Sequence, residues 1–325
     1  MDSMPLLKVN HLVKTFSIKE RGGKRSPLRA VDGVSFALPR GGTFGLVGES
    51  GCGKTTLGRL ILRLLEPDSG AVYYNGNEIT RANMKQYRSR MQIIFQNPAA
   101  SLDPRMQIRD IVAEGLAIHH PDMVKKERRE IVMELLERVG IGPDDAARYP
   151  NAFSGGQQQR IGIARALAVQ PEFIVCDEPV SSLDVSYQSQ ILNLLKEMQC
   201  RLMLSYLFIS HDLSVVRHIA DSIGVMYSGR LVETGASGEI LTHAAHPYTK
   251  ELLSSVPLPD PVSGRQRADA AEYSYRNERQ QDAGGGCDYC RLCPSAEPVC
   301  RDVCPGLTEI APGHFCACHL YEKTG

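Results

Sequence analysis

Gly48-Glu49-Ser50-Gly51-Cys52-Gly53-Lys54-Thr55 decides how the rest of this sequence is read. The stretch fits a phosphate-binding loop. Glycine lets successive backbone N–H groups turn inward and line an anion nest. A helix starting near Lys54 points its positive end at the same spot. Lys54 supplies a point charge for β- and γ-phosphates, and Thr55, followed by Thr56, offers a hydroxyl to Mg²⁺. The flanks agree: Thr43 to Val47 is a short apolar run that predicts a strand, and Lys54 to Leu65 has a helical pattern. Cys52 sits at a free position of the motif.

Phe173-Ile174-Val175-Cys176-Asp177-Glu178 is a continuous apolar run ending in two acids. Such a run predicts a strand buried on both faces. Its C-terminal edge is where ligands sit in open α/β sheets. Asp177 is suited to hold Mg²⁺ and Glu178 to polarise an attacking water. Two acids at a strand end mean little alone; beside a phosphate loop they form a hydrolytic pair.

Leu204 to Ser210 is a second buried run. Leu6 to Ile18 and Ala30 to Leu38 predict strands with alternating apolar positions, and Gln92 to Phe95 another; Gln107 to Val139 is helical and charged. Strands alternating with helices imply an α/β fold with a parallel, doubly wound sheet.

Phe153-Ser154-Gly155-Gly156-Gln157 precedes a helical pattern over Ile161 to Ala168. This second glycine turn at a helix start is a second anion site. One nucleotide cannot use both sites within a single compact domain. The simplest solution is a dimer, with each nucleotide held between the phosphate loop of one chain and this turn of the other.

Together these motifs, in this order, resemble the ATP-binding subunits of ABC transporters of the dipeptide/oligopeptide type, over roughly Leu6 to Leu320. The resemblance implies an ABC-type nucleotide-binding domain over residues 5–257, with a helical subdomain inserted at about 100–165. It implies that Phe16 stacks on adenine and that Gln96, in Phe95-Gln96-Asn97-Pro98, touches Mg²⁺ or the attacking water. Ser154, Gly155, Gly156 and Gln157 then close on the γ-phosphate of a partner copy. Asp184, in Ser181-Ser182-Leu183-Asp184, lies at the dimer interface, and His211 is a switch near the γ-phosphate. His246-Pro247-Tyr248-Thr249 marks the peptide-importer branch.

Seven of the ten cysteines fall between Cys287 and Cys318, after a polar, Pro- and Gly-containing stretch that reads as a linker over 258–286. Clustering of this kind in a reducing compartment suggests metal rather than disulfides. In the family resembled, Cys287, Cys293, Cys300 and Cys318 match a four-cysteine motif associated with a [4Fe–4S] cluster. Four thiolates also suit zinc, and disulfides are a third possibility. Cys290, Cys304 and Cys316 exceed the motif. The expectation is therefore a small Cys-rich, metal-binding tail over 287–320.

The formal net charge is zero and no window has ~20 uncharged apolar residues. Nothing in that balance points to nucleic acid, and the N-terminus lacks a signal-peptide pattern. The expected place is peripheral, on the cytoplasmic face of a membrane. Partners implied by the resemblance are two transmembrane permeases, a second and different ATPase subunit and, indirectly, an extracytoplasmic substrate-binding protein. The expected function is ATP hydrolysis that powers peptide import. Alternatives are the same role for nickel or an antimicrobial peptide, a soluble ABC ATPase, or a metal-sensing protein.

Overall fold

The computed structural model describes residues 4–19, 23, 25–255 and 285–322. The expected linker lies outside the described residues except for its last two positions.

In chain order the first half comprises β1 (Leu7–Lys19), β2 (Arg25–Leu38), β3 (Thr43–Val47), α1 (Lys54–Ile61), β4 (Ser69–Tyr74), β5 (Asn77–Glu78) and β6 (Met91–Ile94). Helices α2 (Pro98–Ser101), α3 (Ile108–His119), α4 (Lys125–Arg138) and α5 (Gly155–Leu167) follow before β7 (Phe173–Asp177). Then come α6 (Val185–Leu202), β8 (Ser205–Ser210), α7 (Leu213–Ile219), β9 (Ser222–Tyr227), β10 (Arg230–Ala236), α8 (Ser237–Thr242) and α9 (Pro247–Ser254). The Cys-rich segment adds α10 (Val299–Asp302), β11 (Thr308–Ala311) and β12 (His314–Cys316).

Strands β3, β6, β7, β8 and β9 pair in parallel, in the order β9-β3-β8-β7-β6. Their side chains sort by alternation. Leu46, Phe173, Val175, Leu207 and Ile209 pack with α1 and the strands β1, β2 and β4. Val47, Ile174, Cys176, Tyr206 and Phe208 pack on the opposite face with helices α3 to α7. Successive strand residues point to opposite faces, so two covered faces require an unbroken apolar run. Each large apolar side chain fully buried in this way contributes roughly 1.5–3 kcal/mol. A second, antiparallel sheet runs β2-β1-β4-β5.

Three boundaries differ from the sequence expectation by four residues or more. Strand β2 starts at Arg25, not Ala30, because β1 pairs with it as far as Lys19↔Arg25. Helix α1 stops at Ile61, four residues short of Leu65, where Arg63 takes a left-handed conformation (φ 50°) and the Leu64 N–H folds back to the Arg59 carbonyl. Helix α5 starts at Gly155, six residues before Ile161. Ser154 caps it, accepting from the Gln157 N–H, while the Gln157 side chain accepts from the Ser154 N–H. That reciprocal capping box satisfies two otherwise orphaned donors.

The Cys-rich segment does not stand apart from the sheet. β12 pairs antiparallel with β10 through Glu233↔Cys316 and Thr234↔Phe315, and β11 pairs with β12. The parallel sheet is thereby extended to eight strands. Among the described residues, no helix is long and apolar enough to cross a membrane.

Candidate nucleotide and metal sites

The loop Gly48–Gly53 joins the C-terminal end of β3 to α1. Gly53 has φ 113°, and a Cβ there would stand 2.0 Å from the Ala30 carbonyl oxygen. Only glycine tolerates both the conformation and the close approach. The loop is tied from behind: the Gly229 N–H donates to the Cys52 carbonyl at 2.9 Å. Lys54 is only 4% exposed, and its Nζ donates to the carbonyls of Gly48 (2.6 Å) and Glu49 (2.8 Å). The ammonium therefore sits inside the loop curve, where phosphate oxygens would compete for it.

The two acids at the end of β7 diverge. Asp177 is buried, and its Oδ1 accepts from the Thr55 hydroxyl at 2.8 Å. Burial pushes the Asp177 carboxyl up, against the opposing pull of the Thr55 hydroxyl and Arg59. Glu178 takes a left-handed backbone (φ 45°), held by donation of its N–H to the Ile209 carbonyl at 3.1 Å. Strain of this kind persists only where surrounding structure enforces it. It turns Glu178 away from Asp177. Glu178 Oε2 accepts from Gln96 Nε2 at 2.9 Å and lies 3.3 Å from His211 Nδ1.

Gln96 follows β6, and Asn97 beside it caps α2 through the Ala100 N–H. His211 follows β8, and Asp212 beside it caps α7 through the Ser214 N–H. Capping thus fixes the chain next to both side chains.

Other expected residues lie elsewhere. Phe16 is on β1, opposite Leu28, with Lys14 Nζ 5.8 Å from its ring centre. Asp184 caps α6, accepting from the Tyr187 N–H (3.1 Å) and the Ser186 hydroxyl (3.0 Å), which hold its carboxyl below the usual range. The Tyr187 ring lies against Gly156, where an added Cβ would meet it at 3.0 Å. The glycine turn and the Asp184 loop are therefore neighbours. Among the described residues, neither the glycine turn nor Asp184 itself bonds the Glu178 carboxylate, whereas Ser181 of that loop donates its N–H (3.3 Å) and its hydroxyl (3.2 Å) to the Glu178 carbonyl.

Five of the tail cysteines, Cys287, Cys290, Cys293, Cys300 and Cys318, line one cavity with His319. Burial raises the Cys287 thiol to about 11. The cysteines are free thiols. Cys304 stands outside the cavity, accepting from Arg230 Nη1 at 2.7 Å, and Cys316 is fully buried on β12. Among the described residues, no three His, Cys, Asp or Glu side chains lie close enough together to hold a single metal ion.

Sequence reasoning passed over two features. Glu233, on β10, is completely buried; it accepts from the N–H groups of Ala245 (2.7 Å) and His246 (2.9 Å) and from His314 Nε2 (2.7 Å). The motif His246-Pro247-Tyr248-Thr249, a family marker that also reads as a short apolar helix with a proline near its start, forms the start of α9, and its interior contacts are what the sequence did not reveal. Burial lowers the His246 pKa to about 4, and its Nδ1 accepts from the Tyr248 N–H at 3.1 Å. Pro247 fills the first helical position, where a missing N–H costs nothing.

Comparison with known proteins identifies the family. A family described as "ABC transporter" matches residues 31–181, and one described as "Oligopeptide/dipeptide transporter, C-terminal region" matches residues 232–300. Oligopeptide transport ATP-binding protein OppF of Bacillus subtilis is 48% identical over 317 residues, covering 96% of each chain. AppF of the same organism, also an oligopeptide transport ATP-binding protein, is 46% identical over 325 residues, covering 98% of each. Among solved structures, the dimeric post-hydrolysis state of the ATP-binding cassette MJ0796, bound to ADP and Pi, aligns with a TM-score of 0.63 at 28% identity. It covers 71% of this chain and 98% of its own. The cbiO1 subunit of a Clostridium perfringens ABC transporter aligns at 0.66 and 28% identity, covering 82% and 100%.

Proposed function

The chain belongs to the ATP-binding subunits of ABC transporters, in the oligopeptide/dipeptide branch, and on that premise we propose that its ATP hydrolysis drives uptake of di- and oligopeptides. The observation that carries the chemistry is the divergence of the two acids. Asp177 faces the Thr55 hydroxyl, whereas Glu178 faces Gln96 and His211.

A hydroxyl and a buried carboxylate 2.8 Å apart suit Mg²⁺, whose ligands are hard oxygens. Thr55 and Asp177 would hold the ion, with Gln96 as a further oxygen donor to it or to the attacking water; when bound, it would neutralise charge on the β- and γ-phosphates. Lys54 exchanges its loop carbonyls for phosphate oxygens. Glu178 accepts the proton of the attacking water, and Gln96 and His211 orient that water and the γ-phosphate. Phe16 receives the adenine. Ser154, Gly155, Gly156 and Gln157 close on the nucleotide of a partner ATPase subunit, and Asp184 sits at that interface. Closure and reopening of the pair then drive two permeases from the cytoplasmic face, with a substrate-binding protein on the far side.

Five of the tail cysteines line one cavity. Four thiolates are the usual ligand set of a [4Fe–4S] cluster, with Cys287, Cys293, Cys300 and Cys318 as its ligands, and zinc is the second reading. When bound, such a group would cross-link the loops of the segment.

The test of function uses Glu178→Gln, isolated from solubilised membranes with ATP and Mg²⁺. Two permeases and a second ATPase subunit should co-purify, and a peptide-binding protein should associate. Recovery from the soluble fraction without partners would end the transport reading while leaving the ATPase intact.

A further inference from the structure

The marker motif and the Cys-rich segment meet at the nucleotide loop. The Tyr248 hydroxyl accepts a hydrogen bond from the Glu49 N–H at 2.9 Å, a reach of 199 positions along the chain. Tyr248 is itself buried among rings. Tyr227, at the end of β9, packs edge-on against it with centroids 4.6 Å apart. Tyr289, between Cys287 and Cys290, stands 5.5 Å from Tyr248 and 5.3 Å from Tyr227. The Tyr289 hydroxyl donates to Glu251 on α9, the helix that carries Tyr248. Tyr289 is therefore fixed at both ends: by its ring on the two tyrosines and by its hydroxyl on α9.

This arrangement bears on the loop directly. The nest works only if its amides point at the phosphates. Bonding the Glu49 N–H to a rigid phenol fixes the plane of the peptide that leads into the nest. A phenol suits this task because its ring is immobilised by packing while its oxygen accepts. We propose that Tyr248 is a positioning residue for the nucleotide loop, and that the Cys-rich segment braces it through Tyr289. Nucleotide affinity in this chain then depends on a segment that touches no nucleotide. The proposal rests on the phosphate-loop reading above.

The test measures binding of Mg²⁺–AMP-PNP by the full purified chain, together with KM and kcat for ATP. Tyr248→Phe keeps the ring and removes the acceptor. It should weaken AMP-PNP binding and raise KM about fivefold, equivalent to about 1 kcal/mol, with kcat changed less than twofold. Hydrogen exchange of the Glu49 amide should accelerate in the same variant. Tyr289→Leu should weaken binding in the same direction, and Tyr289→Phe, which keeps the ring but loses the bond to Glu251, should recover part of it. Parent-like affinity in Tyr248→Phe would overturn the proposal alone. Parent-like affinity in Tyr289→Leu would overturn the bracing role. A parent chain that fails to bind AMP-PNP would overturn the site reading as well.

Discussion

Glu233 and His314 meet at 2.7 Å in the interior, although 81 positions separate them. The carboxylate is fully buried and the imidazole side chain is 3% exposed. A contact so enclosed belongs to a core, so the Cys-rich segment is a structural part of the nucleotide-binding fold. Removing the carboxylate leaves two backbone donors and an imidazole without their partner. Glu233→Ala should cost about 3–5 kcal/mol of stability, read by denaturant unfolding. It should also loosen residues 308–318, read by limited proteolysis.

Glu178→Gln should bind ATP with near-parent affinity while steady-state hydrolysis falls about 10²- to 10⁴-fold. Size-exclusion chromatography with ATP should show a trapped dimer. Undiminished hydrolysis by an assembly in which both sites carry the change would remove Glu178 from its role as base.

Lys54→Ala takes the one ammonium out of the loop curve. AMP-PNP binding should weaken at least about tenfold, since the anion loses a charge-assisted contact. Calorimetric titration checks it.

Gly53→Ala should fail even though it adds a single methyl. The φ of 113° and the 2.0 Å approach to the Ala30 carbonyl force either the loop or β2 to move. A loss of about 1–3 kcal/mol is expected from the backbone conformation alone, with nucleotide binding lost in step. Thermal melts and AMP-PNP titration report the two effects separately.

Anaerobic purification should yield about four irons and four sulfides per chain. Serine at Cys287, Cys293, Cys300 or Cys318 should abolish them, and serine at Cys304, which bonds Arg230 outside the cavity, should not. Zinc without iron would replace the cluster reading with a structural ion.

Local chemistry was the most legible part of the sequence. The phosphate loop and the acids at the end of β7 are short-range patterns, and strands buried on both faces announce themselves as unbroken apolar runs. The convergence of Gln96, Glu178 and His211 came from the family resemblance, not from any period in the chain. The start of α5 was written in Ser154 and Gln157. It was obscured because two glycines, poor helix formers, fill the first turn. Contacts made across long separations left no local trace. Glu233 lies in a strand of mixed character, and Tyr248 and Tyr289 read as isolated aromatics. Only the packing of α9 against the loop and the tail turns them into a set.

Pairing of β12 with β10 also constrains the order in which the protein can mature. Until Cys316 has been made, β10 offers a bare row of amides and carbonyls, and Glu233 lacks its imidazole. Unpaired edges of this kind recruit strands from other chains, and nascent chains fold from the N-terminus onward. Late arrival of β12 closes that edge. Premature termination upstream of it would therefore produce an aggregation-prone ATPase rather than a smaller working one.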